Sequence, residues 1–149
     1  MSDCKVKICG ITRQADLEAI TTAGADFAGI LVDIPSPRSV SPERAAELAR
    51  AAHLPVVLLF MDAQKSFVAD IVRKVRPAAV QLAGSEDRFY VAEMRDRLEC
   101  EIWKSVHIPG EGETIDAADE AQLQIAAYIE SGVHKVVLDT MVVEKGVVK

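Results

Sequence analysis

Lys7-Ile8-Cys9-Gly10-Ile11-Thr12 is the stretch from which the fold can be read. Val6, Ile8 and Ile11 give it the apolar character of a short buried strand, while Gly10 and Thr12 supply a turn residue and a helix N-cap. A strand therefore stops where a helix starts. Cys9 is the last side chain before the turn, so it is presented at the mouth of the strand, where α/β proteins place their chemistry.

The same unit recurs along the chain. Apolar runs predict strands over 5–9, 26–32, 54–60, 78–82, 100–106 and 135–140. Between them, helical spacing and capping residues predict helices over 13–23, 42–53 and 66–75, another from the Ser85 cap to about 98, and a fifth over 116–130. Ser41 and Pro42 open the second helix, Gly24 and Gly132 close the first and last, and Pro77 ends the third. The stretch Asp33-Ile34-Pro35-Ser36-Pro37-Arg38 carries two prolines and reads as a stiff loop without regular structure.

Composition sets the outer limits. With 149 residues, half of them hydrophobic, residues 1–149 form one domain with room for a real core. A net charge of −6, with no clustered Lys and Arg, disfavours a nucleic-acid partner. No apolar run approaches the roughly 20 residues that span a bilayer, and the first residues lack a signal peptide's apolar region, so no membrane association and a cytoplasmic location are expected. Cys4, Cys9 and Cys100 are an odd set without C-x-x-C spacing, which predicts free thiols and no structural zinc.

A strand, loop and helix repeat of this length is the signature of a parallel sheet covered by helices. Two closures satisfy it, an open doubly wound sheet and a (β/α)8 barrel, and periodicity does not choose between them. Two features favour the barrel: no nucleotide-binding glycine motif follows any strand, and Cys9, Asp33, Asp62, Gln81, Lys104 and Asp139 put polar groups late in nearly every strand.

KICGIT at the first strand, GAD followed by a hydrophobic strand and SPRSV, QL-x-G-x-E at the fourth strand and LDT at the sixth together resemble the phosphoribosylanthranilate isomerases. The resemblance runs from about Lys5 to Thr140. It implies a (β/α)8 TIM barrel, of which this chain holds about six βα units. It also implies an Amadori rearrangement of a small phosphorylated substrate in tryptophan biosynthesis, with no cofactor and no metal. By motif, Cys9 is expected as general base, Asp139 as general acid and Arg38 as the grip on the substrate carboxylate. Lys7, two residues before Cys9 and so on the same strand face, is read as lining the site and as able to stabilise a Cys9 thiolate. Gln81 is read as substrate-lining, with a barrel-filling role left open.

The chain departs from the family in two places. Where the family reads QLHGDE, this chain has Gln81-Leu82-Ala83-Gly84-Ser85-Glu86. The family's later βα units, with its phosphate-binding loops, fall after Lys149. Six strands do not close an eight-stranded barrel, and the open edges would be available for homo-oligomerisation. Two readings follow: an isomerase, or a noncatalytic scaffold that associates through those edges. Cys4 and Cys100 are expected to be structural, and so are His53 at a helix end and His107 and His134 in connecting segments. The acidic stretch around Glu111 and Glu113 is expected to be a solvated loop.

Overall fold

The computed structural model describes residues 4–108, 115–140, 143–144 and 147–148; the stretch around Glu111 and Glu113 lies outside them. In chain order the elements are β1 (Lys7–Cys9), α1 (Gln14–Thr22), β2 (Phe27–Val32), β3 (Ser39–Val40), α2 (Pro42–Ala51), β4 (Val56–Phe60), α3 (Lys65–Val75), β5 (Ala79–Leu82), α4 (Arg88–Arg97), β6 (Glu101–His107), α5 (Ile115–Glu130) and β7 (Lys135–Asp139). Two short strands follow, β8 (Val143–Glu144) and β9 (Val147–Val148), paired antiparallel.

The six predicted strands form one parallel sheet in the order β1-β2-β4-β5-β6-β7. This order is what separates the two closures. It never reverses, so right-handed crossovers put every helix on the same face, as in a barrel wall and unlike a doubly wound sheet. Neighbouring helices accordingly pack side by side, α1 on α2, then α3, α4 and α5.

The sheet also curls. Lys7 on β1 donates to Gln81 on β5 at 2.6 Å, and Phe27 on β2 meets the ring of Trp103 on β6 edge to face at 5.4 Å. Each pair lies three strands apart, about 14 Å on a flat sheet. Only a concave inner face brings such side chains together. The architecture is a parallel wall of a (β/α)8 barrel, and β1 and β7 are its edges among the described residues.

Side-chain alternation sorts the strands into two cores. Ala28, Ile30, Leu58, Phe60, Val80 and Leu82 face outward and are sealed by Leu48, Val68 and Met94 from the helices. Leu31, Val57, Leu59, Ala79 and Trp103 face the concave side. Val6 and Ile8, expected to be buried, are 46% and 39% exposed because β1 is an edge with nothing described beyond it. Ile11 alone of the three enters the core.

Local chemistry moved several boundaries. Thr12 does not cap α1: the N-cap position falls on Arg13, which makes no side-chain cap bond and pairs with Asp16. Ser85 does not cap α4 either, since the Asp87 carboxylate accepts from the Tyr90 amide. Ser41 and Pro42 open α2 as expected. The proline loop is not wholly irregular. Its end returns as β3, which pairs with β2 on the side away from β4 and so extends the β1 edge. Serines hold it there: Ser39 Oγ accepts from the Ile34 amide at 2.8 Å and Ser36 Oγ from the Arg38 amide at 3.3 Å. Among the described residues no helix is long and apolar enough to cross a membrane.

Candidate active site

At the carboxyl ends of the strands lies a cavity of about 290 Å³ lined by Lys7, Cys9, Arg38, Gln81, His107 and Asp139, with apolar residues between them. All five residues singled out in the sequence lie on this one cavity. They come from β1, the loop before β3, β5 and β7, so strand order and curl bring together side chains up to 132 positions apart, from Lys7 to Asp139.

The Cys9 end is shaped by two glycines. Gly10 has φ 89°, in the region that suits glycine, and a Cβ there would stand 2.8 Å from Arg38 Cδ. The tight turn lets both the Gly10 and Ile11 amides donate to the Gly29 carbonyl, each at 3.0 Å. Gly29 is the register partner of Cys9, and a Cβ on it would lie 3.0 Å from Cys9 Sγ. The thiol therefore keeps its room at the cavity edge. Arg38 leans over the same turn, its Nη1 donating to the Cys9 carbonyl at 3.4 Å, and its guanidinium stays exposed and open to an anion.

Below Cys9 the concave face carries a polar chain. Lys7 Nζ donates to Gln81 Oε1 at 2.6 Å, and Gln81 Nε2 donates to Ser105 Oγ at 2.9 Å. Gln81, 5% exposed, thus has both ends of its amide engaged inside the protein. Lys7 also lies 6.0 Å from the centre of the Trp103 ring. An ammonium has three donors, so Lys7 retains capacity toward the cavity.

Two of the expected strand-end polar groups serve the wall instead. Asp62, at φ 49°, accepts from the Ser85 amide at 2.7 Å and forms a turn. Lys104 points outward, away from the cavity, because it is out of phase with Trp103 and Ser105. Its ammonium is buried, 3.2 Å from Glu86, and donates to the carbonyls of Gly84 at 2.7 Å and Ser105 at 2.9 Å. Burial pulls its pKa below the ordinary lysine value, while the Glu86 charge opposes that shift. Glu86 in turn accepts from the Asp62 and Gly84 amides at 2.8 and 3.0 Å, which fixes the loops after β4 and β5.

His107 was expected in a connecting segment. It is the last residue of β6 and lines the cavity, because β6 runs one residue further than its apolar pattern indicates. His134 sits just before β7 and accepts from the Ile102 amide through Nδ1 at 2.9 Å. His53 is exposed beyond the end of α2. The only sequence signal for His107 was its place at the end of a run that also holds Trp103 and Ser105 in phase.

A larger cleft, about 590 Å³, lies at the other end of the sheet, between α3 and α4 and before β5 and β6. It gathers Arg73, Arg76, Arg97 and Glu99 from helix ends and draws no polar group from a strand end, so the smaller cavity is the candidate site. Cys100 borders that cleft half-buried, and burial pushes its thiol up to about 11. The folded chain keeps this proton at pH values where the unfolded chain has lost it, so stability falls as pH rises from about 9 toward 11. Replacing Cys100 by serine is expected to reduce the loss of Tm between pH 8 and 10.5 by about 2 °C; equal losses in the two proteins would refute the assignment. Among the described residues, no group of three or more His, Cys, Asp or Glu side chains is placed to hold a metal ion.

A concave parallel sheet with every helix outside and a polar cavity at its strand carboxyl ends defines a protein of the (β/α)8-barrel class. The profile of the N-(5'-phosphoribosyl)anthranilate (PRA) isomerases matches residues 6–147, and the chain belongs to that family. The isomerase of Natronomonas pharaonis is 36% identical over 132 residues, which are 86% of this chain and 62% of the relative. Crystalline monomers generated from the dimeric isomerase of Thermotoga maritima superpose with a TM-score of 0.77 at 28% identity, over 93% of this chain and 64% of that one. An isomerase in complex with reduced 1-(o-carboxyphenylamino)-1-deoxyribulose 5-phosphate does so with a TM-score of 0.77 at 26% identity, over 93% and 66%. The chain thus spans a little under two thirds of the length of these relatives.

Proposed function

We propose that this chain carries the acid and base of a phosphoribosylanthranilate isomerase and acts in tryptophan biosynthesis in the cytoplasm. The observation that supports this is the meeting of Cys9, Arg38 and Asp139 on one strand-end cavity. Asp139, as the acid, gives a proton to the furanose ring oxygen; the C1′–O bond breaks and a Schiff base forms. Cys9, as the base, removes the C2′ proton to give an enolamine, which tautomerises to the ketone. Arg38 holds the anthranilate carboxylate through a planar, charge-assisted pair at the rim. Lys7, held by Gln81, brings positive charge to the Cys9 side, and both line the substrate's path.

The test is turnover: N-(5-phosphoribosyl)anthranilate is supplied to the purified chain and the loss of its fluorescence followed, alongside binding of the reduced deoxyribulose phosphate analogue. Turnover that disappears in Asp139→Asn is expected. A chain that neither turns over the substrate nor binds the analogue would rule the reading out.

A second reading rests on surface observations. Leu138 on the β7 edge is 60% exposed, and Leu123 and Ile129 on α5 are 73% and 60% exposed. Copies of the chain would cover this apolar edge by homo-oligomerisation. A mass from light scattering equal to that of one chain of 16.1 kDa would dismiss it.

A further inference from the structure

We infer that His107 is a substrate-contacting residue, hydrogen-bonded to the sugar hydroxyls of the bound ligand beside Asp139. The inference rests on the isomerase reading of the cavity and adds a residue to it.

Three observations carry it. Both ring nitrogens of His107 are buried, and among the described residues neither has a hydrogen-bond partner. Buried polar atoms are nearly always paired, because an unpaired one forfeits its hydration without return. His107 lines the cavity that holds Cys9, Arg38 and Asp139. Finally, His107 is the register partner of Asp139 on the adjacent parallel strand, with the Ile108 amide bonded to the Asp139 carbonyl at 2.8 Å. Register partners in a parallel sheet project to the same face, so imidazole and carboxyl stand side by side at the mouth.

The chemistry selects the ligand class. A neutral imidazole offers one donor and one acceptor, and a sugar hydroxyl, itself donor and acceptor, can satisfy either. An aromatic ring or an alkyl group satisfies neither. A ribose-derived chain lying between Cys9 and Asp139 places its hydroxyls in the space that His107 borders. Ala83, the residue that follows β5, lines the same cavity with only a methyl group, so a histidine placed there enters the same space from beside the next strand.

The test uses the full chain and the reduced deoxyribulose phosphate analogue. The chain has three histidines, and His53 and His134 lie away from the cavity, so the imidazole nitrogen resonances report on His107 directly. Adding the analogue is expected to shift the His107 signals and leave the other two in place. His107→Ala should weaken analogue binding about tenfold, the worth of a good hydrogen bond to a buried partner. Ala83→His combined with His107→Ala should recover part of that loss, which a merely structural role would not produce. If the wild-type chain binds the analogue while its His107 signals stay fixed, the ring does not reach the ligand and the inference falls with the isomerase reading intact. If the wild-type chain neither binds the analogue nor turns over the substrate, both fall together. The wild-type spectrum decides the matter even where His107→Ala fails to fold.

Discussion

Turnover of N-(5-phosphoribosyl)anthranilate is expected to fall by about 10²–10⁴-fold when Cys9 is replaced by alanine, the usual contribution of a positioned general base. Stability should barely move. Cys9 is only half-buried, it ends an edge strand, and its thiol sits against the backbone of Gly29, so removing one sulfur opens no sealed cavity. That separation gives the prediction its force, since lost activity with an unchanged Tm assigns the loss to chemistry. Cys9→Ser is expected to fall nearly as far, because a hydroxyl is much less acidic than a thiol and provides no comparable base. Cys4→Ala, at an exposed thiol away from the cavity, is the matched control and should retain full rate. A Cys9→Ala rate within about tenfold of the parent chain would remove Cys9 from the role of base.

The largest loss of stability is expected at Lys104. Lys104→Met leaves the Glu86 carboxylate buried beside β6 without its cation, a change that costs about 3–5 kcal/mol. For a chain of this size that corresponds to a fall in Tm of about 10 °C or more. The loss is not confined to an ion pair. Glu86 also accepts from the Asp62 and Gly84 amides, and its own carbonyl accepts from the Tyr128 hydroxyl on α5 at 2.8 Å, so the loops after β4 and β5 and the seat of α5 loosen together. Lys104→Met combined with Glu86→Gln should regain part of the loss. The uncompensated charge is then gone, and a side-chain oxygen still accepts from one amide. Urea unfolding of both variants tests this, and a Lys104→Met chain within about 1 kcal/mol of the parent would show that the pair does not hold the wall together.

Much of the molecule is legible along the chain. Every predicted strand and helix exists, with ends displaced by a few residues, because continuous apolar runs and capping residues are local signals. The displaced ends have local causes too. Asp87 outcompetes Ser85 as a cap by lying two residues closer to the helical run, and β3 is invisible along the chain because two residues paired by register carry no pattern of their own. The motif residues Lys7, Cys9, Arg38, Gln81 and Asp139 stand out by their spacing, and all of them line one cavity.

What the sequence determined by itself is the list of parts: alternating strands and helices, a thiol at the end of the first strand and an aspartate at the end of the last of the parallel set. What only the tertiary structure decided is which faces those parts share. Lys104 and His107 lie three residues apart in one strand, yet one is sealed behind the sheet against Glu86 and the other faces the cavity beside Asp139. The reason is geometric. Strand side chains alternate with period two, so face is set by register with neighbouring strands and by where the strand ends, and both depend on contacts distant in sequence. The same holds for KICGIT, whose cysteine becomes a candidate base only because six strands in unbroken order curl until β1 and β7 look onto the same space.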